Sequence, residues 1–388
     1  MSETNRRFVA IDVHKRYVMV GAVNGEQDVV LHPHRVSIDE LGEWAAAHLQ
    51  PKDAVVLEAS TNVWPIHDLL EPLAAHIVVV HPNHVKIIAA SSVKTDKRDT
   101  LALARLLAAN LLSSVWVPPI HVRELRGLVN HRKQLVRQRI AAKNRLHSVL
   151  HAYNIARPDG DPFVETKRDW WESLPLSGSV KLRVGHDLAL IDYLSTLIGE
   201  ADAELARLSV SEPWADQVPF LIQLSGIGLI TAMTILSAIG DIRRFPTAKK
   251  LAGYSGLGTR VHASGQTHYT GRITKEGRRE LRTVMVEAAW AAVRHHAHWK
   301  AQFEALAARI GKQRAIVAIA RKLLVVVWHV LTNHTADRHA QPDAVVRKLL
   351  LWGTRHRLAT SLGMSRRLFV LHHLRQLGFS QEMAQAYA

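Results

Sequence analysis

Apolar and polar positions at the start of the chain predict short strands separated by turns. Four apolar runs, enriched in β-branched residues, lie at residues 8–11, 17–20, 54–57 and 77–80. Runs of this length and composition are typical of strands in a sheet. A further strand is predicted near residues 29–36, so that three strands follow one another before the first helix.

Helical patterns alternate with the later strands. Ser37 and Glu40 have the spacing of a capping box, which predicts that a helix begins at Ser37. Further helices are predicted at about residues 64–75 and from Thr95 or Asp96 to about residue 107. Three strands followed by alternating helices and strands is the order of a ribonuclease-H-like or RuvC-like sheet, although many α/β proteins share it. Residues 1–115 are therefore predicted to form one α/β unit.

Two long helices are predicted in residues 116–211. Apolar residues recur at helical spacing over about 121–152 and again over about 180–208, which favours an antiparallel coiled coil. Eight Lys or Arg lie between Arg123 and Arg145, against the single acid Glu124. This basic face either follows a nucleic-acid strand or is only a solvated surface, and the pattern leaves both interpretations open.

The third unit is predicted to be mostly helical and to span residues 212–334. Its sequence Gly226-Ile227-Gly228 joins two apolar helical segments, the pattern of a helix-hairpin-helix. Glycines at such a turn let backbone amides at a helix N-terminus approach a DNA phosphate. The alternative is a tight turn with no ligand. Residues 335–388 are predicted to form an accessory helical tail.

Composition favours a polyanionic partner. Fifty Lys and Arg against 34 Asp and Glu give a net charge of +16, which suits nucleic acid or an anionic membrane surface. No membrane association is expected, because an apolar run such as Leu323 to Val327 is far shorter than the roughly 20 residues of a bilayer span. No signal peptide is visible, so a cytoplasmic, nucleoid-associated bacterial protein is expected.

The metal-binding side chains of the chain are acids and histidines. With no cysteine, the chain has neither disulfides nor thiolate zinc sites. The neighbouring His295, His296 and His298 lack a paired partner at ligand spacing. We expect these three to lie on a solvated helix surface.

Four acids occupy positions suited to a metal site. Asp12 directly follows the first apolar run and Glu58 closes the run at 54–57. Asp96 and Asp99 are three apart, which puts both on one helix face with Cβ atoms about 5–6 Å apart. Carboxylates are the ligands that Mg²⁺ prefers. Taken alone, an Asp near a helix start is usually a cap or dipole partner, and a strand-end Glu is often only solvated.

Two sets of motifs carry a family resemblance. The stretch 263–277, followed by Leu281-Arg282, has the pattern Ser-Gly, a polar segment, Gly-x-Ile-x-Lys-x-Gly and Leu-Arg. Upstream, residues 11–15 read Ile-Asp-Val-x-Lys and residues 94–99 read Lys-x-Asp-x-x-Asp. Over about residues 8–331 the chain resembles transposases of the insertion-sequence-110 family, DEDD recombinases that include the Piv DNA invertase. Arg278 and Thr100 stand where the family usually has Asn and Ala, and these departures bear on substrate preference rather than on chemistry.

The resemblance implies a two-part active site and a set of partners. Its metal-binding carboxylates correspond to Asp12, Glu58, Asp96 and Asp99, and its nucleophile to Ser264. It implies Mg²⁺, or Mn²⁺, and strand exchange through a covalent phosphoserine. It also implies double-stranded DNA at element ends and target, a structured non-coding guide RNA, and a homo-oligomer, either dimer or tetramer. The residues expected to bind nucleic acid are Lys15, Lys94, Arg132, Lys133, Arg137, Gly226, Gly228, Arg272, Lys275 and Arg282.

Other functions stay open at this point. A RuvC-type Holliday-junction nuclease would hydrolyse DNA with water and use only the carboxylates. A DNA invertase would use the same residues on a different substrate. A non-catalytic nucleic-acid-binding protein is disfavoured because all four acids are present. Ser264 has its own alternative, since Ser-Gly in a loop is usually a simple turn.

Overall fold

The chain folds into two compact units, Met1–Pro119 and Ile120–Ala388. The structure, a computed structural model, describes residues 6–82, 95–264 and 267–379, and of residues 261–264 and 267–270 it describes the backbone alone. Lys94, one of the residues expected to bind nucleic acid, lies outside the described residues.

The first unit is built on a five-stranded mixed sheet. Its strands are β1 (Phe8–Val13), β2 (Tyr17–Val23), β3 (Val29–Ser37), β4 (Ala54–Glu58) and β5 (His76–Val80). They lie in the order β3-β2-β1-β4-β5. Strand β1 is antiparallel to β2 and parallel to β4, and β4 is parallel to β5. The carboxyl ends of β1, β4 and β5 therefore lie at one edge of the sheet.

Helices cover both faces of this sheet. They are α1 (Leu41–His48), α2 (Val63–Leu70) and α3 (Asp96–Ala108). Leu41 and Ile66 pack with Ile11 on one face, whereas Leu103 of α3 packs with Ala10 on the other. Burial of both faces explains why these strands read as continuous apolar runs rather than alternating ones. The predicted α/β unit is confirmed, and its mixed sheet is consistent with a RuvC-like domain.

The predicted capping box at Ser37 is wrong. Ser37 is the last residue of β3, where it pairs with Tyr17 of β2, and α1 begins only at Leu41. Glu40 is the N-cap residue and its side chain makes no capping hydrogen bond. Strand pairing keeps Ser37 extended, so the local signal is overridden by the sheet.

Two long helices dominate the start of the second unit. They are α4 (Ile120–Ala152) and α6 (Gly178–Ser209), with the short helix α5 (Arg168–Ser173) between them. Arg132 contacts Asp202 and Arg145 contacts Asp187, so the pairing runs in opposite directions along the two helices. Leu135 packs against Leu194 and Ile198 at the interface. The two helices are therefore antiparallel, as expected, whereas their packing as a coiled coil stays a prediction.

The rest of the second unit is mostly helical. Its elements are α7 (Val218–Ile222), α8 (Leu229–Ile239), α9 (Ala248–Tyr254), β6 (Thr259–Ser264), β7 (Thr267–Ile273), α10 (Arg279–His295), α11 (Ala297–Ile310), α12 (Lys312–Asn333), α13 (Pro342–Thr354), α14 (Leu358–Ser361) and α15 (Arg366–Gln376). The expected tail packs on this unit, because Trp352 Nε1 donates to Ser209 Oγ at 2.9 Å and Phe369 is buried.

One helix, α12, has the length and apolar character of a membrane span. It has 22 residues and a mean hydropathy of 1.9 over its most apolar window. Half of that window is buried within the protein, including Ile319, Leu323 and Val327. The buried core helix of a protein outside membranes can have the same length and hydropathy, so α12 is only weak evidence for a membrane span.

The expected solvated surface at His295, His296 and His298 is only partly correct. His295 is exposed, but the helix breaks at His296, which has extended backbone angles. His296 Nε2 lies 3.0 Å from the His339 carbonyl oxygen, and the His298 ring stacks on His339 with centroids 3.8 Å apart. The break between α10 and α11 turns these two rings inward, which helical periodicity alone does not reveal.

Candidate metal centre and nucleophile

Asp12 and Glu58 lie at the carboxyl ends of neighbouring parallel strands. The β1/β4 register pairs Ile11 with Leu57, so the next residue on each strand is one of these two acids. Both are half-buried. This register confirms the predicted placement of both carboxylates at strand ends. The sheet also fixes the backbone at both positions.

Asp96 and Asp99 occupy the first turn of α3. Thr95 is the N-cap residue, and its side chain accepts a hydrogen bond from the Arg98 amide. Asp96 is therefore not the N-cap residue, which was the alternative interpretation of this acid. Both acids still lie at the N-terminal end of the helix, where the helix dipole favours negative charge. Thr100, the departure from the family's usual Ala, is buried and donates to the Asp96 carbonyl oxygen at 2.7 Å.

His14 joins this group, and the sequence reasoning missed it. Its Nε2 lies 3.2 Å from Asp12 Oδ2 and 3.6 Å from Asp96 Oδ2. Its ring stacks on Tyr17 with centroids 4.5 Å apart, and the Tyr17 hydroxyl donates to Asp96 Oδ2 at 3.2 Å. The sequence does contain a signal for His14, because residues two positions apart at a strand end, such as Asp12 and His14, point to the same side of the sheet.

Electrostatics at Asp12 favour a bound cation. Burial raises the pKa of the Asp12 carboxyl, His14 lowers it, and the charges of Asp96 and Asp99 raise it. Carboxylates that destabilise one another's charge are stabilised when a cation lies between them.

The donor set fits a divalent ion. Among the described residues, ligand atoms of Asp12, His14 and Asp96 all lie within 4.8 Å of one another. Solvent does not reach His14 Nε2, and no hydrogen-bond partner satisfies it within the described residues. Glu58 and Asp99 are not part of this tight group. The structure thus brings together two of the four predicted acids, with the other two on the adjoining strand end and helix turn.

A groove opens beside Asp96 within the first unit. Its volume is about 710 Å³, and its lining includes His34, Arg35 and Lys97 as well as Asp96. Lys15 is exposed at the turn after β1. Basic side chains next to a carboxylate site are an arrangement that suits a phosphodiester substrate.

Ser264 is the last residue of β6, the first of two antiparallel strands. Its strand pairs with β7, and the register matches Ser264 with Thr267. Strands β6 and β7 therefore form a two-stranded hairpin, and Gly265 of the Ser-Gly pair lies outside the described residues. Arg272, on β7, is exposed.

The base of this hairpin explains the second glycine of the Gly-x-Ile-x-Lys-x-Gly motif. Gly277 has a φ of +90°, and a Cβ at this position would lie 2.2 Å from the Tyr254 carbonyl oxygen. Lys275 is exposed. Arg282, expected to bind nucleic acid, donates from Nη1 to the Ser255 carbonyl oxygen at 3.1 Å. This part of the motif thus anchors the hairpin to α9.

The two glycines of the Gly226-Ile227-Gly228 turn have different surroundings. Gly226 has a φ of +81°, and a Cβ there would lie 2.1 Å from the Ala288 carbonyl oxygen of α10. Gly228 is exposed, precedes the first residue of α8, and has no atom within 4 Å of its Cβ position. Gly226 is thus required by packing, whereas the phosphate-binding interpretation of the turn stays a prediction.

We expect Gly226→Ala to lower the free energy of unfolding by about 3 kcal/mol or more, since the new methyl group clashes with backbone and the φ is strained. Gly228→Ala is the matched control, and should change it by less than about 1 kcal/mol. Urea unfolding followed by circular dichroism measures both. Equal stabilities for the two variants would contradict the packing of the turn on α10.

The basic face of α4 is partly neutralised. Arg132 and Arg145 pair with aspartates of α6, and Lys143 lies 3.5 Å from Asp161. Within the described residues, no ion pair involves Lys133 or Arg137, and Arg137 is exposed. These two side chains are therefore not neutralised by an acid of the described residues and can contact a polyanion.

Comparison with known proteins identifies the family on both units. A family model described as Transposase, that of the DEDD transposases of IS110 elements, matches residues 9–155. A second, described as Transposase IS116/IS110/IS902 family, matches residues 219–304. The first match spans all four acids, and the second spans Ser264 and the glycine motif.

Similar proteins are transposases and a DNA-inverting protein. A putative transposase, y4qE, of Sinorhizobium fredii is 27% identical over 361 residues, covering 84% of this chain and 89% of the relative. The transposase of insertion sequence IS1111A of Coxiella burnetii is 28% identical, covering 67% and 72%. The pilin gene-inverting protein of Moraxella bovis is 26% identical, covering 85% and 97%. With both family models and these relatives in agreement, the chain belongs to the IS110 family of insertion-sequence transposases.

Proposed function

We propose that this protein moves an insertion sequence by DNA strand exchange in the bacterial cytoplasm, using both a metal centre and a covalent phosphoserine. The observation that carries the proposal is the half-buried group of Asp12, His14 and Asp96 at the edge of the sheet, next to a basic groove. Asp99 and Glu58 flank it on the same helix turn and the neighbouring strand. An acidic site with basic surroundings suits a phosphodiester and a cation together.

Asp12, Glu58, Asp96 and Asp99 are the carboxylates that would hold the divalent cation. Bound Mg²⁺, or Mn²⁺, would neutralise developing charge on phosphate oxygens and favour loss of the nucleophile's proton. The sheet holds Asp12 and Glu58 rigidly, and the capped first turn of α3 holds Asp96 and Asp99. Fixed ligands keep the reacting phosphate in one orientation, which accounts for much of the rate gain in such reactions.

Ser264 is the proposed nucleophile. As its Oγ bonds to phosphorus, one P–O bond of the DNA backbone breaks and a free sugar hydroxyl is left. A hydroxyl of another strand then attacks the phosphoserine, which forms a new backbone bond and releases Ser264. The number of phosphodiester bonds is conserved, so the exchange needs no ATP.

We further propose that α4 binds the structured guide RNA or the DNA through Lys133 and Arg137. Replacing both with Ala should reduce the salt dependence of binding, because each phosphate contact adds roughly 0.7–0.9 to the slope of log affinity against log salt. A drop of about 1.4–1.8 in that slope is expected. Fluorescence anisotropy with a stem-loop RNA and a duplex of equal length measures it.

The matched control for this measurement is the double variant Arg132→Ala, Arg145→Ala. These arginines are already paired with Asp202 and Asp187, so their loss should change the slope less. Unchanged affinity and slope after loss of Lys133 and Arg137 would leave α4 as a solvated structural helix.

Assembly into a dimer or tetramer is also proposed. Strand exchange requires several strands to be cut in concert, and Ser264 lies in the other compact unit from the carboxylates. If the carboxylates of one subunit act with the serine of another, a lone monomer cannot cleave DNA. Mixing an Asp12→Asn protein with a Ser264→Ala protein should then restore part of the activity. No recovery in mixed oligomers would show that each site is completed within one chain.

DNA inversion is the second candidate function. The similarity to the pilin gene-inverting protein favours this function, because the match of 348 residues covers 97% of the length of that relative. The chemistry would be the same and only the arrangement of sites would differ. Products from plasmids with two sites in direct or inverted orientation separate the two functions.

A further inference from the structure

The imidazole of His14 lies inside the acidic group, although the four-carboxylate motif gives it no role. Its Nε2 is 3.2 Å from Asp12 Oδ2 and 3.6 Å from Asp96 Oδ2. Solvent does not reach this nitrogen, and the polar groups beside it are these two carboxylates. A shared cation would engage the nitrogen and both carboxylates at once, and it would relieve the repulsion between the two carboxylate charges.

Neighbouring side chains fix the orientation of this ring. The His14 ring stacks on the Tyr17 ring at an angle of 25° between planes. Tyr17 is itself fixed by its hydrogen bond to Asp96, and the Arg35 guanidinium lies 4.5 Å from its ring centroid. Outer residues that set the direction of a histidine nitrogen are a common feature of metal sites.

The distances match ligands that share one ion. Two ligands with bonds of about 2.1 Å at a right angle are about 3.0 Å apart. The contacts of 3.2 and 3.6 Å are close to this value, and all three ligand atoms lie within 4.8 Å. A nitrogen and two carboxylate oxygens could thus bind the same cation with small side-chain adjustments.

We infer that His14 is a direct ligand of the divalent cation, so that one metal position has a mixed set of Asp12, Asp96 and His14. The inference rests on the proposed metal role of the carboxylates. Imidazole nitrogen favours first-row transition ions over Mg²⁺, whereas carboxylates alone suit Mg²⁺. His14 therefore makes the site bind Mn²⁺ more tightly than Mg²⁺.

Pulsed electron paramagnetic resonance of the full chain with Mn²⁺ alone tests this ligand directly. The parent protein should show ¹⁴N coupling to the bound ion, and labelling its histidines with ¹⁵N should change that coupling to a ¹⁵N pattern. Carboxylate oxygens give no such signal. His14→Ala and His14→Asn should both lose it, whereas His34→Ala, which removes a histidine that lines the nearby groove, should keep it.

Metal affinity gives a second measurement. Calorimetric titration should show that His14→Ala weakens Mn²⁺ binding by about 10-fold or more and Mg²⁺ binding by clearly less. Bound Mn²⁺ without nitrogen coupling, or coupling that survives in both His14 variants, would overturn the inference and leave the carboxylate site in place. No bound Mn²⁺ in the parent protein would overturn the inference and the proposed metal centre together.

Discussion

Asp12→Asn should abolish strand exchange while leaving nucleic-acid binding nearly unchanged. The substitution keeps the size of the side chain but removes a charged ligand from the group formed with His14 and Asp96. Loss of residues that only support a metal ligand costs about 10–100-fold, so loss of a ligand itself should reduce the rate by at least about 100-fold. Recombination of a labelled donor and target with Mg²⁺ measures the loss.

Two further measurements separate this effect from misfolding. Burial raises the pKa of Asp12 above its usual value although His14 opposes the shift, and the charges of Asp96 and Asp99 add to it, so the neutral Asn should not lower the metal-free melting temperature. Asp39→Asn, an exposed acid in the turn before α1, is the matched control and should recombine like the parent protein. Near-normal recombination by Asp12→Asn with Mg²⁺ as the only divalent ion would remove Asp12 from the metal centre.

Ser264→Ala should eliminate both the covalent protein–DNA adduct and recombination, yet leave Mn²⁺ binding at the first unit unchanged. Removing the hydroxyl leaves no oxygen to bond to phosphorus, whereas the carboxylates lie in the other compact unit. A denaturing gel of a labelled target strand should show a slow band for the parent protein only. Ser179→Ala, at an exposed position of α6, is the matched control.

The same substitution separates a recombinase from a junction nuclease. A nuclease that activates water would keep its cleavage rate without the serine hydroxyl. If Ser264→Ala cuts DNA at the parent's rate, the serine becomes an ordinary hairpin residue and the hydrolytic function is favoured.

Much of the first unit could be predicted from the sequence, because its strands are buried on both faces and therefore read as apolar runs. The same reasoning placed Asp12 and Glu58 at strand ends, and the spacing of Asp96 and Asp99 placed them on one helix turn. Thr95 was one of two candidate starts for α3, and its side chain caps the helix. These features depend on local sequence and on strand burial, which the amino-acid pattern records.

Other features depend on contacts distant in sequence. Ser37 resembles a helix cap, but pairing with Tyr17 keeps it in a strand. The hairpin at Thr259–Ile273 lacks strong apolar alternation, and its anchoring through Gly277 needs α9 beside it. His14 lies two residues after Asp12 in the sequence, yet only the packing of α3 on the sheet brings Asp96 to the same nitrogen. Tertiary contacts of this kind leave no periodic signal.

Mass spectrometry of a trapped reaction tests the central claim most directly. The full-length protein, with Mg²⁺ and a target strand nicked beside the exchange site, should accumulate the covalent intermediate, because the nick removes the strand needed for resolution. After nuclease and trypsin digestion, the peptide of residues 261–272 should carry a nucleotide on Ser264, and Asp12→Asn should yield none. A nucleotide on another residue, or cleaved DNA without any protein-linked nucleotide, would contradict the phosphoserine mechanism.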